Sequence, residues 1–166
     1  MEVILEFTKK YWFLSNFYPV NIYYDGIFYP TVSHAYHAQK LLDIYNKKII
    51  SQVSEETLIV DFIDNNFRDW ERDPLFKFKK LEIMDDLLRI KFSNPILLAR
   101  LLKTGHENLI YGNYFHMNFW GSCLCGHCNN SGENHLGKIL MLVREEAEIK
   151  GGYSYVNSLL KYGKYY

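Results

Sequence analysis

A chain of 166 residues with 48% apolar and 17% aromatic side chains carries enough apolar surface for one packed domain and too little polar bias for a disordered one. Nineteen Lys and Arg balance nineteen Asp and Glu, so the broad positive field of a duplex-binding protein is missing and nucleic acid is not the expected main partner. No apolar run approaches the ~18 residues of a membrane helix, and three cysteines confined to 123–128 exclude a secreted disulfide framework.

The opening MEVILEFTKKYWF has Glu2 and Glu6 where a signal peptide would be basic, and no small-residue cleavage site follows. A cytoplasmic location is the expectation. The surplus of Tyr, Phe, Ile, Asn and Lys fits an AT-rich genome such as that of a phage or a low-GC bacterium; for a phage protein the location is the host cytoplasm.

MEVILEF alternates as a strand does, and NIYYDGIFYP sets Asp25-Gly26 between two β-prone runs, a strong hairpin signal. From about Thr31 the pattern turns helical, with Ala35, Ala38, Leu41, Leu42 and Tyr45 spaced to pack inward. A second helix is expected over 54–65. Asp73-Pro74 opens a long helix running to about Phe92, with Leu81, Met84, Leu87 and Leu88 facing the core. Asn94-Pro95 repeats the start signal, and Gly105 closes that helix after Leu98, Leu101 and Leu102. Residues 105–134 form a long irregular stretch, too aromatic for a linker. Asn134 is expected to cap a last long helix with Leu136, Ile139, Leu140 and Val143 on one face. The organisation expected is a single compact α+β domain, mainly α-helical, over residues 1–152, with a small N-terminal β element. Residues 153–166 make a tail or short helix packed on it.

Two stretches crowd polar groups together. In YPTVSHAYHAQK (29–40), His34, His37, Gln39 and Lys40 fall within seven positions of a helix start that holds no carboxylate. Its histidines read equally as half-buried polar residues beside a core stripe, and Ser33 as a helix cap. Nothing around Ser33 marks a Ser–His–Asp arrangement or a nucleophile elbow. In CLCGHC (123–128), Cys125-x-x-Cys128 has the spacing of a zinc knuckle. A fourth ligand has to come from His127, His116 or His135, and the expected set is Cys123, Cys125, Cys128 and His135. The three thiols also read as plain reduced cysteines, and no cofactor is required. Trp120-Gly121 in the long loop is either a stacking plate for a flat ring or a core tryptophan.

Six ordered blocks, FLSNFYP (13–19), YPTVSHAYHAQK (29–40), MDDLLRIKF (84–92), LLKTG (101–105), NFWG (118–121) and GENHLGKILMLVR (132–144), resemble the NADAR (YbiA-like) family over nearly the whole chain. CLCGHC is similar to the short Cys-rich inserts that one branch carries after the WG motif. The resemblance implies a mainly helical fold, a pocket for ADP-ribose-like nucleotides and N-glycosidic chemistry. That chemistry runs through an oxocarbenium-like centre that a carboxylate stabilises or supplies with water.

The family's acidic positions are filled here by neutral residues. Ser33 stands where the family block reads T-V-E-H, Tyr111 before the turn, Met117 before the aromatic-WG and Ser122 after it. A family tryptophan falls on Phe76, unless Trp70 takes that place. The residues that match are Asn16, His34, Gln39, Lys40, Lys80, Trp120, Gly121 and Asn134; with Ser33 they are the expected ligand-binding set, and no catalytic residue is expected. The leading reading is a protein that holds an ADP-ribose-containing or NAD-derived small-molecule nucleotide without hydrolysing it, as a phage sponge for a host immune signal would. The alternatives are an active N-glycosidase or ADP-ribosyl glycohydrolase whose base is Glu107, Asp69, Glu133, His34 or His37, and a zinc-bearing module with a macromolecular partner. An aromatic tail (Tyr162, Tyr165, Tyr166) leaves an oligomer open.

Overall fold

The computed structural model describes residues 3–54 and 68–163. Helices dominate and the strands are short, so the fold is α+β and mainly helical. The chain divides into two units: one is Asn16–Lys91, the other the segments before Asn16 and after Lys91. The helix expected over 54–65 lies, from residue 55 on, outside the described residues.

In the Asn16–Lys91 unit, β2 (Ile22–Tyr24) and β3 (Ile27–Tyr29) form an antiparallel hairpin in the register Ile22↔Tyr29. Asp25 (φ 50°) and Gly26 (φ 77°) both take left-handed conformations, which is what a two-residue turn matching strand twist demands. Helix α1 (Val32–Ala38) packs on this hairpin and on α2 (Ile44–Ile50). The single helix read from the pattern is therefore two. Leu41 leaves the helix to bridge Arg72, and Asp43 caps the next one by accepting from Asn46 N at 2.9 Å. The helical phase restarts there, which is why Leu41 is buried while Leu42 and Tyr45, expected inside, are exposed. Asp73 accepts from Leu75 N at 2.8 Å ahead of α3 (Phe76–Phe92). Met84, Leu87 and Leu88 face inward as expected, but Leu81 is exposed because the first two turns of α3 stand clear of the core.

In the other unit, β1 (Val3–Ile4) pairs in parallel with β4 (Asn108–Leu109), and β5 (Gly112–Asn113) in parallel with β6 (Ser122–Cys123). Asn94 accepts from Ile96 N and Leu97 N to start α4 (Pro95–Leu102), whose Leu98, Leu101 and Leu102 are buried, and Gly105 (φ 56°) follows its end. Helix α5 (His135–Ile149) packs on α4 and β4 through Leu136, Leu140 and Val143, with Ile139 half-buried. After Gly151-Gly152, α6 (Tyr153–Tyr162) packs against α4.

Candidate functional site

Every residue of α1 is buried, and the polar ones are arranged by short-range bonds. The cap is Thr31, not Ser33: the Thr31 hydroxyl accepts from His34 N at 3.2 Å, and Ser33 sits two residues later, already helical. Ser33 N donates to Asn16 O at 3.0 Å, which brings these two expected site residues together. The His34 ring is spoken for at both ends. Its Nε2 faces Val53 O at 3.0 Å, so Nε2 carries the proton and donates, leaving Nδ1 to accept from the Thr31 hydroxyl at 2.8 Å. These two contacts tie α1 to Thr31 and Val53 and engage both ring nitrogens.

His37 is held neutral by its surroundings. Burial, with smaller contributions from Lys40, His34 and Arg72, holds its pKa down at about 3. Its buried Nδ1 finds no partner among the described residues, and neither does the buried Oδ1 of Asn16, whose Nδ2 donates to Met84 Sδ at 3.4 Å. Gln39 accepts from Lys47 Nζ at 3.0 Å, while its buried Nε2 lies beside the Tyr29 hydroxyl without a full hydrogen bond. Burial and Asp25 push Tyr29 up to about 12, so it stays a neutral phenol. Neutral polar atoms left buried without partners are uncommon and cost free energy unless something else satisfies them.

Of the residues expected in the site, Gln39 lines a cleft of about 400 Å³ in this unit, with Tyr24, Leu41, Ile83 and two lysines. Those lysines are already matched by acids, Lys47 to Asp25 at 2.6 Å and Lys79 to Asp73 at 3.9 Å. Lys40 and Lys80 are half-buried. Pattern reading missed Lys91, which is fully buried with its ammonium 5.7 Å from the Tyr18 ring. The signal was present: positions 84, 87, 88 and 91 follow one helical stripe, and a lysine on an apolar stripe is a buried charge.

The second group of expected residues lies in the other unit. Carbonyls of Asn118, Phe119, Trp120 and Gly121 accept from Glu133 N, His135 N, Leu136 N and Asn134 N at 2.6, 3.2, 3.0 and 3.3 Å. The NFWG stretch thus supplies acceptors to the first N–H groups of α5, where an anion would otherwise be drawn. Asn134 is at the N-cap position, but in a left-handed conformation (φ 52°) and without a side-chain cap bond. Its amide accepts from Tyr111 N at 3.0 Å and donates to Leu109 O at 2.9 Å. A Cβ on Gly121 would meet Tyr111 O at 1.9 Å, so the close approach there is to the chain's own backbone. Trp120 is half-buried, edge-on to Phe119 at 4.9 Å between ring centroids.

Ser33, Tyr111, Met117 and Ser122, which stand where the resemblance implies acids, all carry neutral side chains. Burial raises the Tyr111 phenol, Ser122 is buried with its N–H on Tyr111 O, and the Met117 carbonyl accepts from Gly121 N. Glu133 is exposed and pairs with His135 at 2.8 Å, and Asp69 is exposed.

That pair also corrects the expected metal set. His135 stands outside the cysteine cluster; the imidazole that joins Cys123, Cys125 and Cys128 is His116, all four ligand atoms lying within 4.8 Å of one another. The reason is local: Phe119 packs on the His135 ring at 4.4 Å and turns it to Glu133. Hydrogen bonds from its neighbours lower the Cys125 thiol, Cys123 foremost, while Cys125 and Cys123 push Cys128 up to about 11. Thiols this close cannot all ionise without a cation between them.

Comparison with known proteins places these features. The NADAR domain profile matches residues 6–148. An N-glycosidase of Nostoc punctiforme is 35% identical over 146 residues, covering 83% of this chain and 86% of that protein. A riboflavin biosynthesis protein of Vibrio vulnificus is 33% identical over 89% of this chain, which spans only 39% of that relative's length. The NMR structure of YbiA from E. coli superposes with a TM-score of 0.71 at 30% identity, over 90% of this chain and 88% of that one.

Proposed function

The chain belongs to the NADAR domain family, and on that premise we propose that it binds an ADP-ribose-containing or NAD-derived nucleotide and leaves the N-glycosidic bond intact. The observation that carries this reading is α1: a helix buried end to end, holding neutral polar atoms without partners and no carboxylate. Cleavage would need a group to activate water or to stabilise an oxocarbenium-like centre. Ser33 cannot do either, His34 is locked in one tautomer, and His37 is far too weak a base at about 3. Hydrogen bonding needs none of that. The unsatisfied atoms of Asn16, His37 and Gln39 are suited to a polyhydroxylated, neutral part of a ligand.

Replacing acids by neutral residues also removes repulsion toward a diphosphate, so affinity can rise while chemistry falls. A protein used as a sponge must bind tightly; nanomolar capture corresponds to about 12 kcal/mol.

The names of the relatives favour a second reading, an N-glycosidase with a non-standard base. One experiment separates the two. Purified protein is mixed with NAD, ADP-ribose, cyclic ADP-ribose variants or nucleotide-linked ribosides, passed through a size-cutoff filter, and the retained protein is heated and run on HPLC. Capture removes a ligand from the filtrate and returns it unchanged on heating. A free base or a free sugar phosphate appearing with time overturns the binding-only reading. Failure to retain any of the nucleotides, with no product formed from any of them, overturns both.

A further inference from the structure

We propose that His116, Cys123, Cys125 and Cys128 form a closed Cys3His site for one structural zinc ion. The distances argue for a metal over a cluster of thiols. Around tetrahedral zinc, with Zn–S of about 2.3 Å and Zn–N of about 2.0–2.1 Å, sulfurs stand about 3.8 Å apart and each sulfur about 3.5–3.6 Å from the nitrogen. Here the His116 Nδ1 lies 3.2, 3.6 and 3.8 Å from Cys128, Cys123 and Cys125 Sγ. Cys123 and Cys125 Sγ are 3.3 Å apart, far beyond the length of a disulfide. A ring nitrogen has one lone pair or one proton, so it cannot bond three thiols at once. Three sulfurs converging on one nitrogen, with all four atoms within 4.8 Å of each other, is the outline of a coordination shell.

The backbone is built to the same end. Cys128 N donates to Cys125 O at 3.1 Å and Ser131 N to Cys128 O at 2.9 Å, the tight turn through which a Cys-x-x-Cys pair presents both sulfurs to one point. His116 reaches the same point only by taking a left-handed conformation, φ 58°, which L residues adopt reluctantly. Asn113 on β5 holds that turn, its Oδ1 accepting from Phe115 N at 3.1 Å and Met117 N at 3.0 Å. Its Nδ2 donates to Ser122 O, on the strand that carries Cys123.

Four protein ligands leave no open position for a water, so the ion is structural. It ties the turn at His116 to β6 and to the 125–128 knuckle, and so fixes both ends of the segment that carries Phe119 and Trp120. His127 and His135 take no part.

The test uses the full chain purified with zinc present. Metal content should be one zinc per chain. Exchange into cobalt should give the intense visible bands of a tetrahedral cobalt thiolate, and the three thiols should resist Ellman's reagent until a chelator is added. His116→Ala should lose the tetrahedral cobalt spectrum and bind zinc at least tenfold more weakly, with His127→Ala and His135→Ala unchanged. Hydrogen exchange at the Gly121 and Cys123 amides should speed up on chelation while that of α4 does not. Wild-type protein with substoichiometric zinc and thiols that react at once, or an octahedral cobalt spectrum, overturns the site. Loss of zinc from His135→Ala and retention by His116→Ala overturns the ligand set. The wild-type measurements stand even if a variant fails to fold.

Discussion

Asn134 belongs to a block shared with the family, and its role can be separated from ligand contact by stability alone. Its amide donates to the carbonyl of fully buried Leu109 and accepts from the N–H of Tyr111, clamping the end of β4 to the start of α5. Asn134→Ala leaves one backbone donor and one backbone acceptor unsatisfied, at about 1–3 kcal/mol each. It also puts alanine at φ 52°, where asparagine is better tolerated, adding about 1 kcal/mol. The sum is roughly 3–7 kcal/mol, and at about 2–4 °C per kcal/mol for a chain of this size the melting temperature should fall by roughly 6–28 °C. Asn134→Gly removes the same two bonds without the backbone strain, so it should be about 1 kcal/mol less harmful than alanine. Asn134→Asp keeps the acceptor for Tyr111 but sets an oxygen against Leu109 O, and should be no better than alanine. Thermal and urea unfolding of the three variants, with nucleotide retention measured alongside, checks the account. If Asn134→Ala unfolds within about 0.5 kcal/mol of the wild type yet loses nucleotide, the clamp is wrong and Asn134 is a ligand contact.

Gly137→Ala should lose at least about 2 kcal/mol in urea unfolding, because a Cβ there would meet Leu109 O at 2.1 Å. His37 gives a pH dependence with a definite sign: neutral in the folded chain down to about 3, it binds a proton in the unfolded chain below about 6.5. The unfolded state therefore holds more protons between those values, and stability should rise with pH across them by up to about 1.4 kcal/mol per unit; His37→Gln should flatten that slope in urea midpoints. Trp120→Ala should weaken nucleotide retention by roughly five- to a hundredfold if a base stacks on it, about 1–3 kcal/mol, and unchanged affinity would remove Trp120 from the site. Ser33→Glu should restore cleavage of the captured ligand in the HPLC assay. It should also cost stability that grows as pH rises above about 4.3, since burial disfavours the carboxylate; a variant that folds, binds and still does not cleave would show that the missing acid is not the only deficit.

Local signals were legible wherever a few neighbouring residues decide the outcome. Asp25-Gly26 specified its hairpin because only left-handed residues close a two-residue turn, and Asn94-Pro95 its helix because a capping amide and a fixed φ act within one turn. The family blocks were readable for the same reason, as runs of adjacent residues. The sequence by itself therefore determined the kinds of element and the family, and it set neutral residues where the resemblance implies acids. Only the tertiary structure decided which residue does what within them. Ser33 is the better cap in isolation, yet the choice fell to Thr31, whose hydroxyl could also meet His34 Nδ1. His116 and His135 are equally near the cysteines in sequence, but a ring contact with Phe119 and a hydrogen bond with Glu133 at 2.8 Å claim His135. Asn134 reads as a cap until Leu109 O, twenty-five residues earlier, is seen to need its donor. Each of these outcomes depends on which buried polar group is brought beside which, and that is fixed by packing between segments far apart along the chain.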